Sequence, residues 1–227
     1  MDAEFWRRRW ETNEIGFHEG APNALLVAHH AALSLAAGSR IFLPLCGKTR
    51  DIGWWLARGH RVVGSEWNRL AVEQLFEELA LDPVVSDLGG VTRFRAGTLD
   101  ILQGDVFDVS VTMLGGVDAV YDRAALVALP SDVRGRYAAH VTALSSGAPQ
   151  LLVCFEYDQA RVAGPPFSVG EAEVRRLYEA GGGYRAVPLE TRPVERGLKG
   201  VPATETVWLL SPVAPAGAGP QDGAPGR

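Results

Sequence analysis

The run from Arg40 to Asn68, RIFLPLCGKTRDIGWWLARGHRVVGSEWN, restricts the fold more than any other part of the chain. Ile41-Phe42-Leu43 is a short, unbroken apolar run that stops at Pro44, as a strand buried on both faces does. Leu45 to Lys48 then makes a strand-to-helix turn, Ile52, Trp54, Trp55 and Leu56 supply a helix, and Gly59 ends it. A second run, Val62-Val63-Gly64, leads to Glu66. The unit is β-α-β with a carboxylate just past its second strand. Such a carboxylate suits the two vicinal hydroxyls of a ribose, while the first turn holds whatever the sugar carries. An adenosine derivative is therefore the expected ligand. The turn supplies one glycine, Gly47, where a dinucleotide's pyrophosphate asks for close backbone approach at several positions. S-adenosylmethionine carries no phosphate and asks for less. A purely structural crossover stays open at this point.

The remaining elements can be read around that unit. Trp6 and Trp10 share one face of an N-terminal helix by their i,i+4 spacing, with Arg7, Arg8 and Arg9 forming a basic edge. Asn23 is placed to cap a helix from Ala24, and Asn68 another through Glu78. Thr92 to Ala96 and Leu99 to Gln103 read as extended and lead to Gly104-Asp105, so Asp105 stands on the same carboxyl edge as Glu66, within reach of an adenine amine. Val117 to Tyr121 makes a fourth strand ending at Asp122-Arg123, opposite charges that serve either function or an interior salt bridge. Leu151 to Phe155 is an unbroken central fifth strand, and Ser168 with Glu171 has the spacing of a capping box for a helix through Tyr178. Arg185 to Glu190 and Glu205 to Leu210 pair antiparallel around a polar excursion, Thr191 to Ala203, long enough to cover a site. The result is an α/β chain with a seven-stranded doubly wound sheet and an antiparallel terminal strand, the Rossmann-like variant of S-adenosylmethionine-dependent methyltransferases.

The residues also fall in a known order. Trp6 with Trp10, Ile15-Gly16-Phe17-His18, Pro44 to Lys48, Gly64 to Glu66, Gly104-Asp105, Tyr121 to Leu126 and Glu156-Tyr157-Asp158 are arranged as in thiopurine S-methyltransferases, and the chain closely resembles the bacterial members. The resemblance runs from about Phe5 to Leu210 and rests on the ordered combination. It implies that Trp10, Leu45, Glu66, Asp105 and Arg123 border S-adenosylmethionine, that Phe17 borders the acceptor, and that residues of about 1–23 close over the cofactor as a helical lid. Arg196 lies where the family has a substrate-side arginine, although the loop around it matches poorly. A small thiol, thione or related selenium or tellurium acceptor and a monomer are likewise what the resemblance implies.

Chemistry visible in the residues agrees with that acceptor class. Transfer of a methyl group from a sulfonium to a thiolate cancels charge, so alignment in a dry pocket supplies most of the catalysis and no strong base is needed. The chain offers no Cys-His or His-Asp arrangement and no metal-ligand spacing among its five histidines and two cysteines. Arg123 is the expected electrostatic helper, holding a bound thiol or thione tautomer in its anionic form. A nicotinamide-dependent oxidoreductase would share the fold and Glu66 but call for a richer glycine turn. A non-catalytic nucleotide-binding protein would keep the cofactor edge alone.

A net charge of −5 with dispersed basic residues argues against a nucleic-acid partner. The first residues lack the apolar core of a secretory signal, and no stretch nears the ~20 apolar residues of a membrane span, which predicts a cytoplasmic protein. Hydrophobic residues make up 47%, enough for one large domain over residues 1–211. From Ser211 the composition collapses to Pro, Ala and Gly, predicting a disordered tail over 212–227. Truncation after Pro212 is expected to leave the melting temperature and the turnover unchanged; a clear fall in either would mean that the tail docks on the domain.

Overall fold

A computed structural model describes residues 3–16, 18–180 and 183–213. Phe17 and residues 214–227 of the expected tail lie outside the described residues. The elements in chain order are α1 (Ala3–Glu11), α2 (Ala24–His29), β1 (Arg40–Leu43), α3 (Arg50–Ala57), β2 (Arg61–Glu66), α4 (Arg69–Glu78), β3 (Val84–Asp87), β4 (Thr92–Ala96) and β5 (Leu99–Gln103). They continue with α5 (Val111–Leu114), β6 (Ala119–Arg123), α6 (Ser131–Leu144), β7 (Gln150–Tyr157), α7 (Glu171–Arg175), β8 (Tyr184–Pro193) and β9 (Ala203–Pro212).

Side chains alternate across the buried strands and so build a core on each face of the sheet. In β1, Phe42 enters one core while Ile41 and Leu43 enter the other. In β7, Leu152 and Cys154 share the first, Leu151 and Val153 the second. The first core is closed by Tyr137, Val141 and Leu144 of α6, the second by Leu25 and Leu26 of α2, Trp55 of α3 and Leu75 of α4. Helices therefore cover both faces, which is why the central strands read as continuous apolar runs. Among the described residues, no helix is long and apolar enough to cross a membrane.

The sheet has nine strands in the order β3-β4-β5-β2-β1-β6-β7-β9-β8, not the seven expected. Strands β5, β2, β1, β6 and β7 are parallel, and β9 and β8 close one side antiparallel, as the pattern predicted. The two extra strands have separate causes. Gly97, at φ +56°, reverses the chain between β4 and β5, so the two extended runs are antiparallel partners rather than one strand. All four residues of β3 are exposed at the sheet edge, where no buried face imposes an apolar pattern.

Local signals at the helix starts mostly hold. Asn23 Oδ1 accepts the N–H groups of Leu25 and Leu26 at 3.0 and 3.2 Å, and Asn68 Oδ1 that of Leu70 at 2.9 Å. The capping box at Ser168 does not form. Its hydroxyl accepts the Tyr157 N–H at 3.0 Å instead, leaving Gly170 at the N-cap of α7 and a wider π turn, Arg176–Ala180, in place of the expected continuation. Strand β8 also runs on to Pro193 and β9 begins at Ala203, so the excursion between them is shorter than the sequence suggested.

Close backbone packing beside the first turn depends on Gly64. A Cβ there would lie 2.6 Å from Cys46 Sγ and 2.7 Å from Ile101 Cδ1. Gly64→Ala is expected to cost about 1–3 kcal/mol by overpacking. Gly135→Ala, at an exposed position of α6 with nothing near the added carbon, should stabilise by roughly 0.5–1 kcal/mol. Urea unfolding of the two variants checks the pair; equal, small effects would mean that the space beside Cys46 relaxes freely.

Candidate active site

The turn after β1 is fastened to the end of β2. Leu45 N–H donates to Ser65 Oγ at 3.3 Å, Cys46 N–H to the Ser65 carbonyl at 2.9 Å, and Gly47 N–H to Glu66 Oε2 at 2.8 Å. These bonds hold Leu45 at φ +45° and Gly47 at φ +53°, left-handed conformations that cost a non-glycine residue about 1–2 kcal/mol. Glycine is required at position 47 for a second reason, because a Cβ would come within 3.1 Å of the Trp10 ring. The other oxygen of Glu66 accepts the Asn68 N–H at 2.7 Å. Burial pushes the Glu66 carboxyl up from its ordinary range, and the N–H groups of Asn68, Gly47 and Trp67 oppose that shift.

These residues form the floor of a cavity of about 760 Å³ at the carboxyl ends of β1, β2 and β6, in the size range of small-molecule sites. Strand order reverses between β1 and β6, the place where open α/β sheets bind ligands. Trp6, Arg9 and Trp10 of α1, with Gly16, His18 and Glu19, roof the cavity. Phe155, Pro165 and Pro166 form a side wall, and Arg192 to Glu195, Leu198, Lys199 and Glu205 form another. Trp10 is 5% exposed, so α1 packs tightly by its second tryptophan.

Arg123 enters the cavity from the end of β6, with its side chain 9% exposed and ion-paired with Glu19. Its neighbour Asp122 points into the core on the opposite face. There it accepts the Tyr137 hydroxyl at 2.7 Å and the Leu126 N–H at 3.1 Å. Arg192 faces Glu205 across the β8-β9 ladder and donates to its Oε2 from Nε at 3.2 Å and a terminal nitrogen at 2.8 Å. His18 has its pKa lowered by burial and by Lys48, which leaves a neutral ring at neutral pH. Lys48 itself reaches Glu78 at 2.7 Å, and Arg50 joins that carboxylate at 3.2 Å.

Of the residues expected at the site, Trp10, Leu45, Glu66 and Arg123 come together on this cavity. Phe17 lies outside the described residues. Asp105 stands on the carboxyl edge but outside the lining; it is exposed and its Oδ1 accepts the Phe107 N–H at 3.0 Å. Arg196, at φ +64° in the β8-β9 connection, is also outside the lining, and Arg192, near the end of β8, is the arginine that lines the cavity there. Sequence reasoning missed Arg192 and Glu19. Opposite charges placed across the arms of a hairpin could have marked Arg192 with Glu205, whereas Glu19 sits in an irregular segment with no period to read. Among the described residues, no group of three or more His, Cys, Asp or Glu is placed to hold a metal ion.

A family model for thiopurine S-methyltransferase matches residues 1–199 of the chain. The chain belongs to the thiopurine S-methyltransferase family. A relative of that name from Xanthobacter autotrophicus is 57% identical over 92% of this chain and 99% of its own, and one from Gluconobacter oxydans is 48% identical over 95% and 97%. The fold is shared more widely. A 1,6-didemethyltoxoflavin N1-methyltransferase from Burkholderia thailandensis, solved with S-adenosylhomocysteine, superposes with a TM-score of 0.62 at 17% identity over 92% of this chain and 86% of that one. A magnesium protoporphyrin IX methyltransferase from Synechocystis gives 0.59 at 16% identity over 93% and 100%. Membership makes the protein an S-adenosylmethionine-dependent methyltransferase and removes the oxidoreductase alternative.

In this member of the thiopurine S-methyltransferase family the carboxyl behind Arg123 is itself a titratable support. Burial raises Asp122 from 3.8 to about 6, against hydrogen bonds from Tyr137, Leu126 and Ala125 that favour its charged form. Between those values the unfolded chain has lost the proton and the folded chain has kept it. The group's contribution to stability is therefore full below about pH 4 and is lost as pH rises through about 6. Relative to Asp122→Asn, which cannot titrate, the parent should lose up to about 3 kcal/mol of unfolding free energy between about pH 4 and 7. Urea titrations of both proteins at several pH values check this; a constant difference would place the Asp122 pKa near its ordinary value.

Proposed function

We propose that the enzyme moves the methyl group of S-adenosylmethionine to a small acceptor whose reacting atom is an easily ionised sulfur or the heavier selenium or tellurium. The observation that carries this reading is the placement of Glu66 and Arg123 on one cavity, a carboxylate at the end of β2 and a guanidinium at the end of β6. Glu66 accepts the Asn68 N–H on Oε1 and the Gly47 N–H on Oε2, and the carboxylate keeps lone-pair capacity for a ribose hydroxyl. Gly47 admits the Trp10 ring over the turn, and a side chain there would fill the space. These residues thus fit S-adenosylmethionine, with Glu66, Leu45 and Trp10 holding it. When bound, it supplies a methyl group on a positively charged sulfur.

The chain's own residues do the rest. Trp6 and Trp10 exclude water from the roof, which strengthens every charge interaction beneath them. Arg123 favours the anionic form of a thiol or thione and lowers its pKa. An alcohol would need its proton removed at a far higher pKa and is not expected to react. The apolar wall of Phe155, Pro165 and Pro166 suits a flat ring beside the reacting atom. We read residues 1–211 as one domain whose first 23 or so residues serve as the lid, with 212–227 as a tail. Both cysteines are free thiols, in keeping with a reducing, cytoplasmic setting.

Calorimetry with S-adenosylmethionine and with NAD tests the donor; binding of the first alone is expected. Glu66→Ala should weaken it by on the order of 1.5–3 kcal/mol, the loss of a charge-assisted hydrogen bond. Product analysis with matched aryl thiols, phenols and amines should find methylated thiols only. Unchanged donor affinity in folded Glu66→Ala, or efficient methylation of phenols, would overturn the corresponding half of the proposal.

A further inference from the structure

The ion pair of Arg123 with Glu19 joins two side chains that are held very differently. Arg123 ends a central strand and its side chain is 9% exposed, whereas Glu19 lies in the irregular segment ahead of α2 with its side chain 45% exposed. A further hold on Glu19 is a long hydrogen bond of 3.5 Å from Asn23 Nδ2. The Glu19 carboxylate thus lines the cavity and also meets water, which is the position from which a proton taken inside can leave.

We propose that Glu19 takes the proton of a neutral thiol acceptor in exchange for the guanidinium that it holds. The proposal rests on Arg123 being the acceptor-side cation. As the thiol docks, the guanidinium turns from the carboxylate to the sulfur, and this one displacement acts on both groups. The sulfur gains a cation and becomes the stronger acid; Glu19 loses one and becomes the stronger base. The S–H bond breaks, an O–H bond forms on Glu19, and the electron pair stays on sulfur. That pair then bonds to the methyl carbon while the bond from carbon to the donor sulfonium breaks and leaves a neutral thioether. Glu19 passes its proton to water, so the net products are the methyl thioether, S-adenosylhomocysteine and one proton. The groups that face Glu19 support such a base: burial pushes its pKa up, Arg123 from β6 pulls it down, and Asp51 from α3 and Glu205 from β9 push it up again. Removing Arg123 from that set leaves only influences that raise it, apart from the Asn23 hydrogen bond.

The test follows the proton. Thiophenol is titrated into the protein saturated with S-adenosylhomocysteine, at a pH below the thiol's own pKa, and thiolate is read by its absorbance. Proton release is read by calorimetry in two buffers of different ionisation enthalpy. The parent should form thiolate and release fewer protons per thiolate than Glu19→Gln, which should release about one per site, and Arg123→Met should form little thiolate. In turnover, Glu19→Gln should lose about 10- to 100-fold in kcat/KM with a benzyl thiol, which arrives protonated. With 4-nitrothiophenol, which arrives ionised, it should keep or exceed the parent rate. Thiolate that forms as well in Arg123→Met would sink the reading of Arg123. Thiolate that needs Arg123 but gives equal proton release with and without Glu19, or an equal loss of rate on both thiols, would sink the role of Glu19 alone.

Discussion

Glu66 joins the turn after β1 to the start of α4 by accepting the Gly47 N–H at 2.8 Å and the Asn68 N–H at 2.7 Å. A carboxylate buried to 7% exposure carries a desolvation cost of several kcal/mol unless its oxygens are bonded, and here two backbone donors meet it directly. The bond is reciprocal in its effect. It favours the charged form of the carboxylate against the cost of burial, and it holds the strained Leu45-to-Gly47 turn in place. The ligand-facing role proposed for Glu66 and its structural role therefore fall on the same atoms, and these bonds set the shape of the floor.

Trp10 extends this dependence to α1. Its ring sits where a side chain at position 47 would be, so the glycine that lets the turn bend is also the glycine that lets α1 dock. The roof, the turn and the end of β2 are consequently one packed unit, with Cys46 pressed against Gly64 beneath it. A cysteine at this turn is a space-filling residue whose thiol is pushed well above its ordinary pKa by burial and by Glu66, and it stays a thiol.

The legible parts of the fold were those that burial on two faces writes into the residues. Strands β1, β2, β6 and β7 read as apolar runs because each face meets a helix layer, and Glu66 and Arg123 were legible because a strand's carboxyl end fixes where the next residues go. Strand β3 was not legible, since an exposed edge strand needs no pattern. The Asp122-Arg123 pair, read as either function or salt bridge, divides instead: alternation along β6 sends Asp122 to Tyr137 in the core and Arg123 to the cavity. Arg192 escaped because the end of β8 was set three residues too early, and its partner Glu205 comes from the opposite arm of the hairpin. Glu19 escaped because an irregular segment places its side chains by contacts that only the folded chain supplies.

Charge compensation differs between the Glu66 side and the Arg123 side of the cavity. Glu66 is compensated by backbone N–H groups, which are fixed by the turn and by the N-terminus of α4 and cannot leave. Arg123 is compensated by Glu19, a half-exposed side chain on an irregular segment, and Arg192 by Glu205 across a hairpin. Fixed dipoles give a preorganised surface that costs no rearrangement on binding. Exchangeable side chains give a surface whose net charge depends on which partner is engaged. A cofactor that is the same in every turnover suits the first arrangement. In the mechanism proposed above, an acceptor that loses a proton before it reacts suits the second, because the guanidinium is neutralised by a carboxylate until a better anion forms beside it.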